Sequence, residues 1–565
     1  MLQVAHQRNG QRTGRRPRLS LAALILLAIG TLVVTTPELR AQRARGRTAA
    51  ATEHPLATRA ALDQMRAGGN AIDAAVAAAL VGGVVNPTSS GIGGGGFVLV
   101  WLGADCKPYL LDFREIAPLG LDAAPFERRP LPHAQRGRLV GVPGEVRGLF
   151  ELHRKLGRRK WVDVVAPALA HARSGFPVGR HLASMLRSHS RTLRREPGLA
   201  AVFYPGGRPA ALGRRLTNPK LAATLERIAN EGPSALYEGS VAADIVDSVS
   251  AAGGQLALDD LRHYRPVERK PLHVRWEGYD VYTMPPPSAG GMMLVQTLQL
   301  FPRDRLRRVG FNTAAYQHLV AEGMRAAVAD RMRYLGDPDH VQVDIKRLLA
   351  PARMQLRRQS IALDRTHAIP RFGLEEGGTH HLVTADAGGN WVSLTTTVNR
   401  LFGAKVTGAQ SGIVLNDELD DFTRQQDVAP FGMSESPNRP RPGARPVSSM
   451  TPTVVVQNGR AVLALGGSGG TAIATNVTQL LLSRLTFGRS PAALVKQRRF
   501  YIPTEGAYIW LERGAARAHV ADLERRGEIV GTVPYTASAV QLIAVENGLK
   551  VPAADPRKHG SAAAR

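Results

Sequence analysis

From His54 to Gly69, in HPLATRAALDQMRAGG, apolar residues recur every three or four positions, and the pattern stops at Gly68-Gly69. That predicts a helix closed by a glycine cap. Asn70 then stands where it can cap a second helix, AIDAAVAAALVGG, which is apolar on nearly all sides and so is expected to be buried between layers. NPTSSGIGGGGFVLVWL reads as a glycine-rich loop running into a strand. Helical periodicity returns near residues 144–175 and 219–252, followed by strands in HVRWEGYDVYTM that end at PPPSAGG. After Asn312, AAYQHLVAEGMRAAVADRMRYLG predicts a long amphipathic helix ending before Pro338. Residues 341–378 are basic and weakly patterned, as a mobile, protease-accessible segment would be. From Thr379 the texture changes to short alternating strands, HHLVTA, WVSLTTTV, TPTVVVQ and RAVLALGG, and then a helix in TAIATNVTQLLLSRLTFG. No internal repeat is present. The pattern predicts one α+β core with a breakpoint near 378/379, not two independent domains.

The N-terminus adds a destination. RTGRRPRLS is a positive lead-in, and LAALILLAIGTLVV, residues 21–34, is an unbroken apolar run. A run of that length suits a signal peptide, whereas a membrane span needs about 20 residues. Residues 1–41 are therefore expected to be a signal peptide with cleavage after Ala41, or else an uncleaved anchor. Arg15-Arg16 raises a twin-arginine route, but the residues after the pair fit that motif poorly. In either case the bulk of the chain is expected in the periplasm or outside the cell, touching a membrane only if the apolar segment is kept.

The 565 residues are 44% hydrophobic and 21% charged, enough to bury one large core or two smaller ones. An excess of 73 basic over 46 acidic residues gives +27, but it is mostly arginine scattered along the chain. No zinc-finger, RRM or basic-helix pattern focuses it, so a solvated surface is expected and no nucleic-acid partner. Cys106 is the only cysteine, which excludes an intrachain disulfide, a cysteine zinc site and an iron–sulfur cluster. Gly91, Gly93 and Gly96 formally match GxGxxG, yet a strand follows where a dinucleotide site needs a helix. Those glycines are expected to let backbone pack against backbone or substrate. His380 and His381 should point to opposite faces of a strand, and Asp420-Asp421 has no histidine-rich partner motif, so no metal and no cofactor is expected.

The stretch GGTHHLVTADAGGNWVSLTTTVN, residues 377–399, carries the chemistry. A threonine hydroxyl is a weak nucleophile without a base, and one available base is the residue's own α-amino group, with a pKa near 8. That requires cleavage of the Gly378–Thr379 bond, which the hydroxyl itself can begin by attacking the preceding carbonyl. Thr395, Thr397 and Asn399 share one strand face by period-2 alternation and can aim hydroxyls and a carboxamide at one point. Taken alone, the same pattern also fits an exposed sheet face.

From about residue 50 onward the chain resembles the γ-glutamyltranspeptidase (glutathione hydrolase) family. The matching motifs, in family order, are GGNAIDAAVAAAL, NPTSSGIGGGGF, LDFRE, YTMPPPSAGG, RYLGDPD, SLTTTVN, SGIVLNDELDDF, RPVSSMTPT and ADPRK. The resemblance implies an N-terminal-nucleophile hydrolase fold, a four-layer αββα sandwich. It also implies self-cleavage into a large subunit, residues 42–378, and a small catalytic one, 379–565, that stay together as a heterodimer. Thr379 resembles the nucleophile and Thr397 its hydrogen-bonding neighbour. Arg114, Ser448 and Ser449 resemble the clamp for a substrate α-carboxylate, and Asn399, Glu418 and Asp421 the site for its α-ammonium. The N–H groups of Gly469 and Gly470 resemble the oxyanion hole. The implied reaction passes a γ-glutamyl group from a glutathione-like donor to water, an amino acid or a peptide.

Arg114 can alternatively be a structural partner of Glu115 or Asp112. The chain departs from the family pattern at His380, Val383, Ser468 (where proline is usual) and Phe431. Alternative readings are a cephalosporin-acylase-like amidase, a capsule-peptide transferase, and an envelope homologue without activity.

Overall fold

The computed structural model describes residues 45–127, 131–367, 378–429, 432–503, 508–536 and 538–565. The expected signal peptide, Gly377 and Phe431 lie outside these. Asn70 caps the second helix as expected. Its side chain accepts from the Ile72 and Asp73 N–H groups while Asp73 accepts from the Asn70 N–H, a reciprocal capping box. The helices Pro55–Arg66 (α1) and Ala71–Val85 (α2) follow one another, and nearly all of α2 is buried.

Two antiparallel sheets form the centre. One runs β13-β1-β7-β8-β2-β3-β4, with β1 Ala49–Thr52, β2 Gly95–Leu102, β3 Lys107–Phe113, β4 Val267–Glu268, β7 Gly378–Ala385, β8 Trp391–Asn399 and β13 Ser561–Ala564. The other runs β12-β11-β10-β9-β6-β5, with β5 Leu272–Trp276, β6 Tyr279–Thr283, β9 Thr453–Gln457, β10 Arg460–Ser468, β11 Ala539–Glu546 and β12 Leu549–Ala553. The sheets pack face to face, β7 and β8 against β10. Across that seam the Ser393 hydroxyl donates to the Leu465 carbonyl (3.0 Å), and the His381 ring fills the space a side chain at Gly466 would need.

Helices α1 and α2 cover the outer face of the first sheet, backed by Glu145–Leu156 (α3) and Trp161–Ser174 (α4). Gly290–Leu300 (α5) and Ala472–Phe487 (α8) cover the second sheet, and Ala314–Tyr334 (α6) lies over α5. This is the expected αββα sandwich. Strands from either side of the Gly378–Thr379 bond interleave in both sheets, so the two halves share one core. β7 and β8 are buried on both faces, which removes the exposed-sheet alternative for the threonine run.

Two expectations need correction. Helix α6 is not amphipathic, being buried on nearly all sides between α5 and the C-terminal segment. Its polar residues are paired inside: Arg325 bonds Glu322 and both oxygens of Glu528, and His318 Nδ1 lies 2.7 Å from Glu528 Oε1. His318, Glu322 and Glu528 form a group with metal-ligand geometry, but Arg325 and His367 already occupy its carboxylates. Replacing Arg325 with methionine leaves Glu528 buried with too little countercharge, with an expected stability loss of about 3–5 kcal/mol in chemical denaturation; a loss under about 1 kcal/mol contradicts this pairing.

The second correction concerns the segment expected to be mobile. Much of it is helical and docked: Ile345–Leu348 and Pro351–Ser360 (α7) pack down, with Met354 buried. Arg353 and Arg357 both pair with Asp330 of α6, at 2.6 and 2.8 Å. The weak pattern reflects an arginine face satisfied by a buried aspartate, which hydropathy periodicity does not register. Residues 368–377 lie outside the described part.

Candidate active site

In the β7–β8 ladder Thr379 stands opposite Thr397, and Gly378 opposite Asn399. One residue of β8, Val398, is extra, so the register shifts by a bulge between Thr397 and Asn399. Strict alternation therefore ends at Thr397, and Asn399 reaches the site through the bulge with a left-handed φ of 68° that asparagine tolerates. Thr397 Oγ1 donates to the Gly378 carbonyl (2.6 Å), accepts from the Asn399 N–H (2.8 Å) and lies 3.4 Å from Thr379 Oγ1. The bond before Thr379 is thus polarised by one threonine while the other sits beside it. Gly378 is glycine for lack of room. A Cβ there would meet the Thr88 carbonyl at 2.7 Å, and at Gly94 one would meet the Thr397 carbonyl at 1.9 Å. The glycine-rich loop packs backbone on backbone, as expected.

Thr379 and Thr397 open into a cleft lined also by Arg114, Asn399, Glu418, Asp421, Ser448, Ser449 and Gly470. All the expected site residues except Gly378 and Gly469 line it. Gly469, at φ 116°, precedes Gly470, at φ 57°, in the turn between β10 and α8. Only glycine enters that conformation cheaply, and Gly470 brings the turn to the wall of the cleft.

Arg114 is fully buried. Its guanidinium bonds Glu418, Asp421 (2.6 Å) and the Pro446 carbonyl (2.7 Å). The alternative partners Asp112 and Glu115 do not hold its guanidinium; Asp112 takes only the backbone N–H of Arg114 and pairs instead with Arg269 (2.6 Å). Nor does it touch the two serines. Ser449 Oγ accepts from Arg331, and Ser448 Oγ from the Met450 N–H.

Glu418 sits in a short turn, Glu418–Asp421, its N–H donated to Asn416. Its second oxygen, Oε2, is buried without a hydrogen-bond partner among the described residues. Burial raises its carboxyl above the usual carboxylate range, Arg114 pulling it back and Asp421 adding to the rise. Glu115 is buried with both oxygens unpartnered among the described residues and is likewise held high by burial and by Glu418.

Glu145 supports the strand from the other face, where Thr396 donates to it. Burial pushes its carboxyl up to about 8, partly offset by that bond. A folded-state value raised above the unfolded one makes the fold bind the extra proton, so stability falls as pH rises from about 4.5 to about 8. Glu145→Gln is expected to flatten this slope, its melting temperature gaining on the parent's across that interval; parallel curves contradict the assignment.

Sequence reasoning missed Arg331, which holds Ser449, and the Arg400–Asp420 pair at the rim. It also missed Lys558, although that residue lies in the quoted ADPRK motif; its Nζ donates to the Thr379 carbonyl at 2.9 Å. His380 and His381 point to opposite faces as expected, His380 toward Gly82 of α2 and His381 toward Gly466. Burial, with the Lys558 charge, pushes His380 down to about 3, so it is neutral. Val383 is a fully buried residue of the seam.

An αββα sandwich with a glycine–threonine bond at the head of an inner strand, above a charged cleft, defines a hydrolase fold of the N-terminal-nucleophile class. Comparison with known proteins narrows this. A profile of the γ-glutamyltranspeptidase family matches residues 57–565. The chain is 35% identical over 540 residues to the glutathione hydrolase proenzyme of Bacillus subtilis (strain 168), covering 91% of this chain and 90% of that one. Among solved structures it resembles the cephalosporin acylase from Bacillus halodurans (27% identity, TM-score 0.82, 93% and 96% of the two chains). It also resembles the γ-glutamyltranspeptidase of Helicobacter pylori (32%, TM-score 0.54, 56% and 91%). The chain belongs to the γ-glutamyltranspeptidase family, and is an enzyme of the γ-glutamyltransferase class.

Proposed function

We propose that the protein is a self-cleaving γ-glutamyltransferase and glutathione hydrolase whose nucleophile is Thr379. The observation that carries this reading is the cleft itself: a guanidinium and two carboxylates, Arg114 with Glu418 and Asp421, beside the Thr379–Thr397 pair. Opposite charges that satisfy one another in the free protein suit a zwitterionic ligand, which exchanges one set of ion pairs for another without stranding a charge. The donor's α-carboxylate takes the Arg114 fork and the Ser448 and Ser449 hydroxyls. Its α-ammonium takes Asn399, Asp421 and the unpartnered oxygen of Glu418.

Maturation begins when Thr379 Oγ1 attacks the Gly378 carbonyl, already polarised by Thr397. The C–N bond breaks as the ester forms, and water then releases a chain ending at Gly378 and a free Thr379 amine. That amine accepts the hydroxyl proton in each later turnover. The donor's γ-carbonyl is attacked, the Gly469 and Gly470 N–H groups stabilise the oxyanion, and the leaving amine takes the proton. Water or an amino acid then accepts the γ-glutamyl group. Because the sheets interleave strands from both fragments, residues 42–378 and 379–565 stay together as a heterodimer. The N-terminal apolar run directs export to the periplasm or beyond. No helix among the described residues is long and apolar enough to cross a membrane.

Release of p-nitroaniline from γ-glutamyl-p-nitroanilide tests the proposal. Turnover, stimulated by an amino-acid acceptor, is the expected result; cleaved protein that leaves this donor intact overturns it in favour of the acylase-like reading. The fold is shared with an acylase, but the ammonium-binding set Asn399, Glu418 and Asp421 is what a donor without a free glutamyl head would leave unused.

A further inference from the structure

We infer that Lys558 is a positioning residue, a strut that fixes the nucleophile Thr379 against the oxyanion turn through Ser468. This rests on the roles just given to Thr379, Gly469 and Gly470. Its ammonium meets three oxygens. It donates to the Thr379 carbonyl at 2.9 Å and the Ser468 hydroxyl at 2.8 Å, and forms an ion pair with a Glu53 carboxylate oxygen at 3.3 Å.

Each acceptor lies on a different element. Thr379 is in β7, Ser468 is the last residue of β10 directly before Gly469-Gly470, and Glu53 follows β1. The lysine therefore joins the two sheets at the one point where nucleophile and oxyanion donors must keep a fixed separation.

The anchor of the strut is rigid. The turn after β12 is held by Asp555, which accepts from the Val540 N–H (2.9 Å) and the Arg557 N–H (3.0 Å) and pairs with the buried Arg499. Arg557 in turn pairs with Glu512. Glu53 is itself fixed by the His381 N–H (3.2 Å), one residue from His380 and two from Thr379. A charged group so held contributes only if its acceptors are where it needs them, so the pair Lys558–Ser468 acts as a unit.

Cleavage at Thr379 makes this more important. The new N-terminus loses its covalent neighbour, and the Thr379 carbonyl becomes one of the few restraints left on the residue that reacts. Lys558 touches no substrate atom in this scheme; it acts through Thr379 and Ser468.

A double-mutant cycle on cleaved, folded enzyme tests the strut, with γ-glutamyl-p-nitroanilide as the donor and intact mass counting chains that begin at Thr379. Lys558→Met is expected to lower kcat about tenfold or more while KM moves less than about threefold. Ser468→Ala is expected to lower kcat less, and the double variant to be no worse than Lys558→Met alone. Lys558→Arg, which keeps the charge and still offers N–H donors to both oxygens, is expected to recover most of kcat. Losses that multiply in the double variant, or that fall on KM instead of kcat, overturn the proposal. If Lys558→Met does not accumulate, Ser468→Ala in the Lys558→Arg background is read by the same rule. Failure of the underlying reading looks different: it is turnover by Thr379→Ala.

Discussion

Thr379→Ala is expected to remain a single uncut chain and to lose turnover by about four orders of magnitude or more, since removing the nucleophile of a covalent mechanism leaves only binding and oxyanion contributions. The two losses share one cause, because the same oxygen cuts the chain and attacks the donor. The alanine variant should still fold. The hydroxyl contacts Thr397 at 3.4 Å, a long bond of little structural weight, while the strand ladder around it is made by backbone. Thr379→Ser keeps the oxygen and is expected to retain both cleavage and turnover. Electrophoresis and an initial-rate assay on the same preparations read all of this. Cleavage that persists in Thr379→Ala places the reacting group elsewhere.

Arg114→Lys carries the second large effect. A lysine keeps the charge but lacks the planar fork that meets Glu418, Asp421 and the Pro446 carbonyl together. In the proposed complex that fork holds the donor's α-carboxylate. The expected loss in kcat/KM is about two orders of magnitude, on the order of 3 kcal/mol, and most of it should appear in KM because the contact is made equally in ground and transition states. A donor lacking the α-carboxylate, 4-aminobutyryl-p-nitroanilide, is a poor substrate for both proteins and should lose little further on the substitution. Equal losses with both donors would mean that Arg114 merely supports the Glu418–Asp421 turn.

Much of this site was legible in the chain. Gly378-Thr379, the hydroxyl face of β8 and the quoted motifs around Arg114, Glu418 and Ser448 were all visible as spacing or resemblance, and the structure gathers them around one cleft. The layers were legible too, because the Asn70 cap and the all-apolar α2 require burial on several sides.

What escaped depends on register and on pairing across the fold. Period-2 alternation carries no sign of the bulge at Val398, so Asn399 shares the site for a reason alternation did not supply. Lys558 lies 179 residues from Thr379 and was visible only as part of a closing motif. Helix α6 and the segment after it misled for a related reason. Their arginines read as solvent-facing or mobile, whereas Arg325, Arg353 and Arg357 are matched to Glu528 and Asp330. Hydropathy scores a buried, compensated arginine as an exposed one.

The separation of Arg114 from the two serines has a similar origin. Resemblance grouped the three as one clamp. In the free protein Arg331 holds Ser449, and the Arg114 fork is turned to Glu418 and Asp421. A bound carboxylate is what would bring the three to a common ligand.

The central claim is that the chain cuts itself to expose Thr379, and the intact mass and N-terminal sequence of the purified, unmodified protein test it most directly. Two chains that copurify are expected, the smaller beginning Thr379-His380-His381. A single uncut chain that turns over donor, or a smaller fragment beginning at any other residue, would contradict it.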